Sequence, residues 1–217
     1  MKGRVNYGVK AMKIIFEDKD IVVAIKPPEI LSQGDEKGRE NAVDILSEMT
    51  GSEIFPVHRL DKGVGGVMVF AKNAKAAAEL SKQVSDRTME KTYLALLHGE
   101  ISEDKGTLED LLFFDRGKNK SFVVKRERRG VKKALLDYEC LSKGEGRSLV
   151  KVKLITGRTH QIRVQFSSRG YPLFGDRRYG AKDEEKNIAL LSKEISFVHP
   201  KTGERMTFET EKEIRFF

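Results

Sequence analysis

The segment His58-Arg59-Leu60-Asp61-Lys62-Gly63 contains the first side chain that could carry out chemistry. Asp61 follows residues 54–60, whose pattern predicts a strand, and a glycine-rich turn comes directly after it. A carboxylate at such a junction can project into a cleft while the sheet holds it rigid. An aspartate there can also hydrogen-bond its own turn, so the residue alone leaves both interpretations open.

A second candidate, Arg163, lies in residues 156–163 beside the apolar face of a predicted helix. Ile162 and Phe166 form that face because they are four residues apart. A charge buried beside this face needs an anionic partner. Asp61 is one candidate for that partner, and an exposed, solvated arginine is the alternative.

Tyr93 is the third candidate, in a strand-like segment over residues 91–97 where a tyrosine serves either the core or catalysis. The four histidines have no carboxylate or cysteine at metal-ligand spacing, so we expect no metal site. The sequence contains no Walker-type phosphate loop, dinucleotide fingerprint or nucleophile-elbow motif. These chemistries therefore have no support in the sequence.

The chain has 217 residues, with 41 Lys and Arg against 33 Asp and Glu, which gives a net charge of +8. The charge is uneven, because residues 14–115 are acidic whereas residues 116–133 hold nine basic residues and one acidic residue. We call residues 116–133 the basic stripe. This asymmetry indicates a surface that meets a polyanion, and a solvated hairpin is the alternative.

The elements that must position these residues are many short strands with hairpin-length connections. They predict an α+β fold with a mixed, mostly antiparallel sheet, flanking helices and a central catalytic cleft. We predict helices over residues 41–49, over residues 74–84 and, with Thr159 as N-cap, up to about residue 168. One domain should span residues 1–217. Strands are predicted over residues 13–16, 21–25, 54–60, 66–71, 91–97, 107–115, 121–127, 133–141, 147–155, 195–198 and 206–208.

The sequence also indicates a compartment. The longest apolar run, residues 21–25, is far shorter than the ~20 residues of a membrane helix. We expect no secretory leader, and the single cysteine, Cys140, fits a reducing cytoplasm. We therefore expect a cytoplasmic protein without membrane partners. A monomer without an obligatory protein partner is the default for one compact domain.

Taken together, these segments resemble the RluA-type pseudouridine synthases, an RNA-modifying family. The resemblance runs in order from about residue 13 to residue 209. It is carried by Val22-Val23-Ala24-Ile25-Lys26-Pro27-Pro28, by His58 to Lys62 with residues 65–72, by Lys91-Thr92-Tyr93, by residues 156–163 with residues 170–176, 179 and 180, and by residues 196–204.

Three segments depart from the family pattern: Val64-Gly65-Gly66, Gln165, and Ala189-Leu190-Leu191-Ser192. We expect these departures to affect turn geometry and neighbouring RNA contacts rather than the chemistry. We also expect that the small amino-terminal RNA-binding domain common in the family is missing.

The resemblance implies an isomerase that converts specific uridines in ribosomal or transfer RNA to pseudouridine, without a cofactor or metal. Asp61 would be the nucleophile. Arg163 would hold Asp61 in a bidentate pair and favour its charged form. Tyr93 would stack on the uracil and help to remove the proton at C5.

The target nucleotide must be flipped out of its stack, and Arg59, on the same predicted strand face as Asp61, would fill the vacated space. The alternative is a catalytically inactive RNA-binding or ribosome-associated homologue. The other residues that we expect at the RNA are His58, Leu60, Arg158, Thr159, His160, Gln161, Leu190, Arg126, Arg128 and Arg129.

Overall fold

A computed structural model of the chain describes residues 12–211 and residue 214. The chain divides into two compact units. Unit I comprises the described residues 12–91 and 191–211, and unit II comprises residues 92–190 with residue 214. The single domain that we predict over residues 1–217 remains a prediction.

The described residues form eleven strands, three helices and one short 3-10 turn. The strands are β1 (Lys13–Glu17), β2 (Ile21–Lys26), β3 (Phe55–Pro56), β4 (Gly65–Ala71), β5 (Glu90–His98), β6 (Lys105–Asp115), β7 (Lys120–Val124), β8 (Val131–Gly144), β9 (Arg147–Leu154), β10 (Leu190–Val198) and β11 (Arg205–Glu209). The helices are α1 (Ala42–Thr50), α2 (Ala74–Asp86) and α3 (Gln161–Ser167), and the 3-10 turn spans Arg177–Tyr179.

Unit I is built on a mixed sheet. Strand β2 pairs antiparallel with both β1 and β4, while β4 pairs parallel with β10, and β11 closes a hairpin on β10. Every residue of β2 and β4 is buried, as expected for strands covered on both faces. The core of this unit includes Val23, Val69, Leu80 of α2 and Phe197.

Unit II is an antiparallel sheet in the order β5-β9-β8-β6-β7. Helix α3 contributes Val164 to a buried cluster with Leu112, Ala134 and Tyr179. The predicted α+β fold with a mixed, mostly antiparallel sheet is therefore confirmed.

Two local predictions are wrong. The strand predicted over residues 54–60 is limited to Phe55–Pro56, so Arg59 and Asp61 do not share a strand face. Helix α3 begins at Gln161, and Thr159 is not its cap. His160 occupies the N-cap position with a left-handed backbone (φ 55°) and makes no side-chain capping bond.

The helices of the described residues are all too short or too polar to cross a lipid bilayer.

Candidate active site

Asp61 lies half-buried in a turn of unit I that is anchored on both sides. The Val64 N–H donates to the Asp61 carbonyl (3.0 Å), and the Gly63 N–H donates to the Pro28 carbonyl (3.0 Å). Before the turn, the buried Ser32 hydroxyl donates to the Leu60 carbonyl (3.0 Å) and accepts from the Leu60 N–H (2.9 Å). These bonds fix the backbone on either side of the carboxylate.

A buried lysine lies within the electrostatic reach of this turn. Lys26 is 1% exposed, and its Nζ donates to the carbonyls of Pro27 (2.8 Å) and Ile30 (2.7 Å). Burial lowers the pKa of Lys26 to about 7, and the negative charges of Glu29 and Asp61 oppose that shift. The protonation of Lys26 is therefore coupled to the charge of Asp61.

The glycines after Asp61 are required by close packing. Gly66 has φ +122°, and a Cβ there would lie 2.2 Å from the Ser192 carbonyl oxygen. A Cβ on Gly65 would lie 3.0 Å from the Lys26 carbonyl oxygen. The Ser192 hydroxyl donates to the Val67 carbonyl (3.0 Å). The departure at residues 64–66 thus belongs to the contact of β4 with β2 and β10.

His58 ties the same segment to β4. Its Nε2 accepts the Val69 N–H (3.2 Å), and its buried Nδ1 has no hydrogen-bond partner among the described residues. Burial and, to a smaller extent, the positive charge of Lys91 lower the pKa of His58 to about 3. His58 is therefore neutral near pH 7 and is not a cation for phosphate. Its neighbours differ, since Arg59 is exposed and Leu60 is buried.

Arg163 is buried in unit II, so the alternative of an exposed, solvated arginine is wrong. The structure gives it a carboxylate partner that the sequence did not indicate. Its Nε donates to Asp176 Oδ2 (2.7 Å) and its Nη2 donates to Asp176 Oδ1 (2.8 Å). The two side chains are 5% and 1% exposed. The pair with Asp61 remains a prediction.

An aromatic network surrounds this ion pair. The Arg163 Cζ lies 5.0 Å from the centre of the Tyr179 ring. The Tyr179 hydroxyl accepts the Ser121 N–H (2.7 Å) and lies 3.0 Å from His160 Nδ1. Burial raises the pKa of Tyr179, so its hydroxyl stays protonated. His160 is thus engaged inside unit II, and its predicted RNA contact remains a prediction.

The arginine motif also contacts the basic stripe. The Ser121 hydroxyl donates to the Thr159 carbonyl (2.6 Å), and Arg158 Nε donates to the Lys133 carbonyl (3.0 Å). Gln161 Oε1 accepts from the Arg158 N–H (3.0 Å). The first two bonds join residues that are distant in the sequence, and they hold the start of α3 against the strands that carry the stripe.

Gln165, the second departure, is buried and structural. Its Nε2 donates to the Leu108 carbonyl (3.1 Å) and to Asp110 Oδ2 (2.8 Å).

Tyr93 lies in β5 opposite Val152 and is 5% exposed. Leu190 begins β10 and is 4% exposed. The proposed contacts of Tyr93 and Leu190 with the base remain predictions.

The basic stripe occupies β7, its two flanking turns and the first three residues of β8. Lys133 forms an ion pair with Glu109 (2.6 Å). Within residues 12–211, the exposed Arg126 and Arg129 have no acidic partner at ion-pair distance, and Arg128 lies 4.7 Å from the Phe113 ring centre. No group of His, Cys, Asp and Glu among the described residues is arranged to hold a metal ion.

Exposed cations without acidic partners are typical of proteins that bind nucleic acid. The sequence model of one family, described as RNA pseudouridylate synthase, matches residues 20–168. An uncharacterized RNA pseudouridine synthase of Aquifex aeolicus (strain VF5) is 39% identical over 222 residues, covering 93% of this chain and 69% of the relative. The dual-specificity RNA pseudouridine synthase RluA of Yersinia pestis is 32% identical over 210 residues, covering 93% of this chain and 100% of the relative.

The chain therefore belongs to the RNA pseudouridine synthase family, as the resemblance of its motifs predicts. A solved structure of human RNA pseudouridylate synthase domain containing 1 has a TM-score of 0.76 at 24% identity, and covers 97% of this chain and 85% of that chain. This likeness supports the fold.

Proposed function

We propose that this enzyme isomerises specific uridines of ribosomal or transfer RNA to pseudouridine, with Asp61 as the nucleophile. The observation that carries the proposal is the clamped turn of Asp61, inside the segment that matches the family. A nucleophilic carboxylate must be ionised and held still, and the bonds on either side of Asp61 provide the second condition.

The reaction breaks the bond between N1 of uracil and C1′ of the ribose. After the base turns, a bond forms between C5 and C1′, the proton leaves C5, and N1 gains a proton. The product is an isomer, so atoms balance without a co-reactant. In this proposal Asp61 attacks either the sugar or the base, and the bond that it forms breaks again by the end of the reaction, so that the carboxylate is regenerated. Arg163 stabilises the carboxylate, and Tyr93 stacks on the uracil and helps to move the C5 proton.

The basic stripe would bind the phosphates of the RNA. Support comes from its exposed arginines, which lack acidic partners in the described chain. Arg59 is exposed and would occupy the space of the flipped nucleotide. We further propose that the enzyme acts in the cytoplasm as a monomer, without a required protein partner.

The test is release of tritium from RNA labelled at uridine C5, because only formation of the new bond at C5 expels that atom. We expect release by the wild-type enzyme on RNA from cells that lack it, and none by Asp61→Ala. Asp86→Ala is the control, since Asp86 lies at the exposed end of α2. Equal release by Asp61→Ala would refute the role of Asp61. No release by folded wild-type enzyme on any cellular RNA would favour the inactive RNA-binding homologue.

A further inference from the structure

We propose that Asp176 is a positioning residue for the reaction, because it fixes the guanidinium of Arg163. This inference rests on the catalytic role proposed for Arg163. Two parallel hydrogen bonds, of 2.7 and 2.8 Å, join the carboxylate to one edge of the guanidinium. A bidentate pair of this kind sets the plane of the guanidinium as well as its distance.

The ring of Tyr179 restricts the guanidinium in a second direction. Its centre lies 5.0 Å from Arg163 Cζ, and its hydroxyl is held by Ser121 and His160. The Ser167 hydroxyl of α3 donates to the Tyr179 carbonyl (2.6 Å). Arg163 is therefore held by a carboxylate and an aromatic ring that themselves have little freedom.

The backbone of Asp176 is fixed by the turn around it. Its N–H donates to the Leu173 carbonyl (3.1 Å), and its carbonyl accepts from the N–H groups of Tyr179 (3.0 Å) and Ala181 (3.1 Å). Gly175 precedes it with φ +72°, and a Cβ there would lie 2.0 Å from the Asn187 carbonyl oxygen. The turn thus presents the carboxylate to α3 from a single direction.

A neutral or longer side chain cannot reproduce this arrangement. An asparagine offers one acceptor oxygen instead of two and removes the negative charge of residue 176 from beside the buried guanidinium. A glutamate keeps the charge but adds a methylene in a site that is 1% exposed. Both substitutions should therefore keep the Arg163 side chain but shift its guanidinium from its wild-type position.

The experiment compares Asp176→Asn and Asp176→Glu with wild type in tritium release, with kcat and KM determined separately. We expect kcat to fall about 10- to 100-fold and KM to stay within about two-fold, because positioning acts on the chemical step. Asp110→Asn is the matched control. Asp110 also forms a bidentate pair with an arginine, Arg169 (2.8 and 3.2 Å), and we expect it to keep wild-type kcat.

A double-mutant cycle distinguishes positioning through Arg163 from a general structural role. Arg163→Leu with Asp176→Leu removes both charges together, which avoids the unpaired buried charge that either substitution alone leaves at this ion pair. We expect the double variant to lose as much kcat as Arg163→Leu alone. An additional loss in the double variant, or wild-type kcat in folded Asp176→Asn and Asp176→Glu, would overturn the inference.

If Asp176→Asn fails to fold, Asp176→Glu still tests the inference, because it keeps the negative charge beside Arg163 and moves only the carboxylate. Failure of the proposed function gives a different result. In that case Asp61→Ala or Arg163→Leu would itself release tritium at the wild-type rate, whatever the residue at 176.

Discussion

Lys26 makes the stability of the protein depend on pH in a way that can be calculated. Its pKa is about 7 in the folded protein, against 10.5 for an ordinary lysine. Between these values the unfolded chain binds a proton that the folded protein does not bind, so the free energy of unfolding rises with pH. Below about pH 7 both states are protonated, and above about pH 10.5 neither is, so Lys26 adds no slope there.

The expected size follows from the width of this window. Each pKa unit corresponds to about 1.4 kcal/mol, so the full window corresponds to about 5 kcal/mol. Lys26→Met removes the titrating group. The free energy of unfolding of wild type minus that of Lys26→Met should therefore rise by about 1.4 kcal/mol per pH unit, at most, across the middle of the window.

Urea unfolding of both proteins at several pH values measures this difference. The absolute offset between them is not the prediction, because Lys26→Met also removes hydrogen bonds to Pro27 and Ile30. Lys82→Met is the control, since Lys82 is 74% exposed and should track wild type at every pH. A constant difference between wild type and Lys26→Met from pH ~7.5 to ~10 would refute the assignment of a buried, depressed lysine.

Three further predictions concern packing, capping and RNA. Gly66→Ala should lower the free energy of unfolding by about 3 kcal/mol or more, because the new Cβ would clash with the backbone of β10 and the residue would have to keep a positive φ. Wild-type stability of this variant in urea unfolding would contradict the prediction. Asn73→Ala should lower the free energy of unfolding by about 1 kcal/mol in the same assay, because the Asn73 side chain accepts the Ala76 N–H (2.9 Å) as the N-cap of α2. An unchanged free energy of unfolding would exclude that capping role. Replacing Arg126, Arg128 and Arg129 by alanine should weaken RNA binding and flatten the slope of log affinity against log salt concentration by about 2. An unchanged slope would show that the basic stripe does not contact the RNA phosphates.

The parts of the fold governed by local signals were predictable from the sequence. Helix α2 follows its asparagine cap and its alanine-rich turns, and it ends two residues beyond the predicted residue 84. The hairpin of β10 and β11 is also confirmed. In both cases the determining contacts lie within a few residues, or across one short turn.

The segment before Asp61 was not predictable in the same way. Its apolar residues suggest a strand, but the backbone of Leu60 bonds to the hydroxyl of Ser32 instead of to a neighbouring strand. The ring of His58 takes the place of a backbone acceptor for Val69. Contacts across 28 and 11 residues therefore replace the local preference for a strand.

The candidate site, like the fold, was predictable from the sequence only in part. The place of Arg163 beside Ile162 and Phe166 leaves burial and exposure both open, and the structure shows that it is buried. A buried arginine requires an anion, but no sequence pattern tells which of 33 carboxylates supplies it. The motif with Asp176 and Tyr179 is visible in the sequence as part of the family resemblance. Its contact with Arg163 depends on the path of the chain between α3 and β10, which the sequence pattern does not specify.

The most direct test of the account is a map of pseudouridines in total RNA from cells that lack the gene, restored either with the wild-type enzyme or with Asp61→Asn. The substitution changes one charged side chain and keeps its size. We expect at least one uridine that is modified by the wild-type enzyme and left unmodified by Asp61→Asn. The same modified positions in both RNA samples would contradict it.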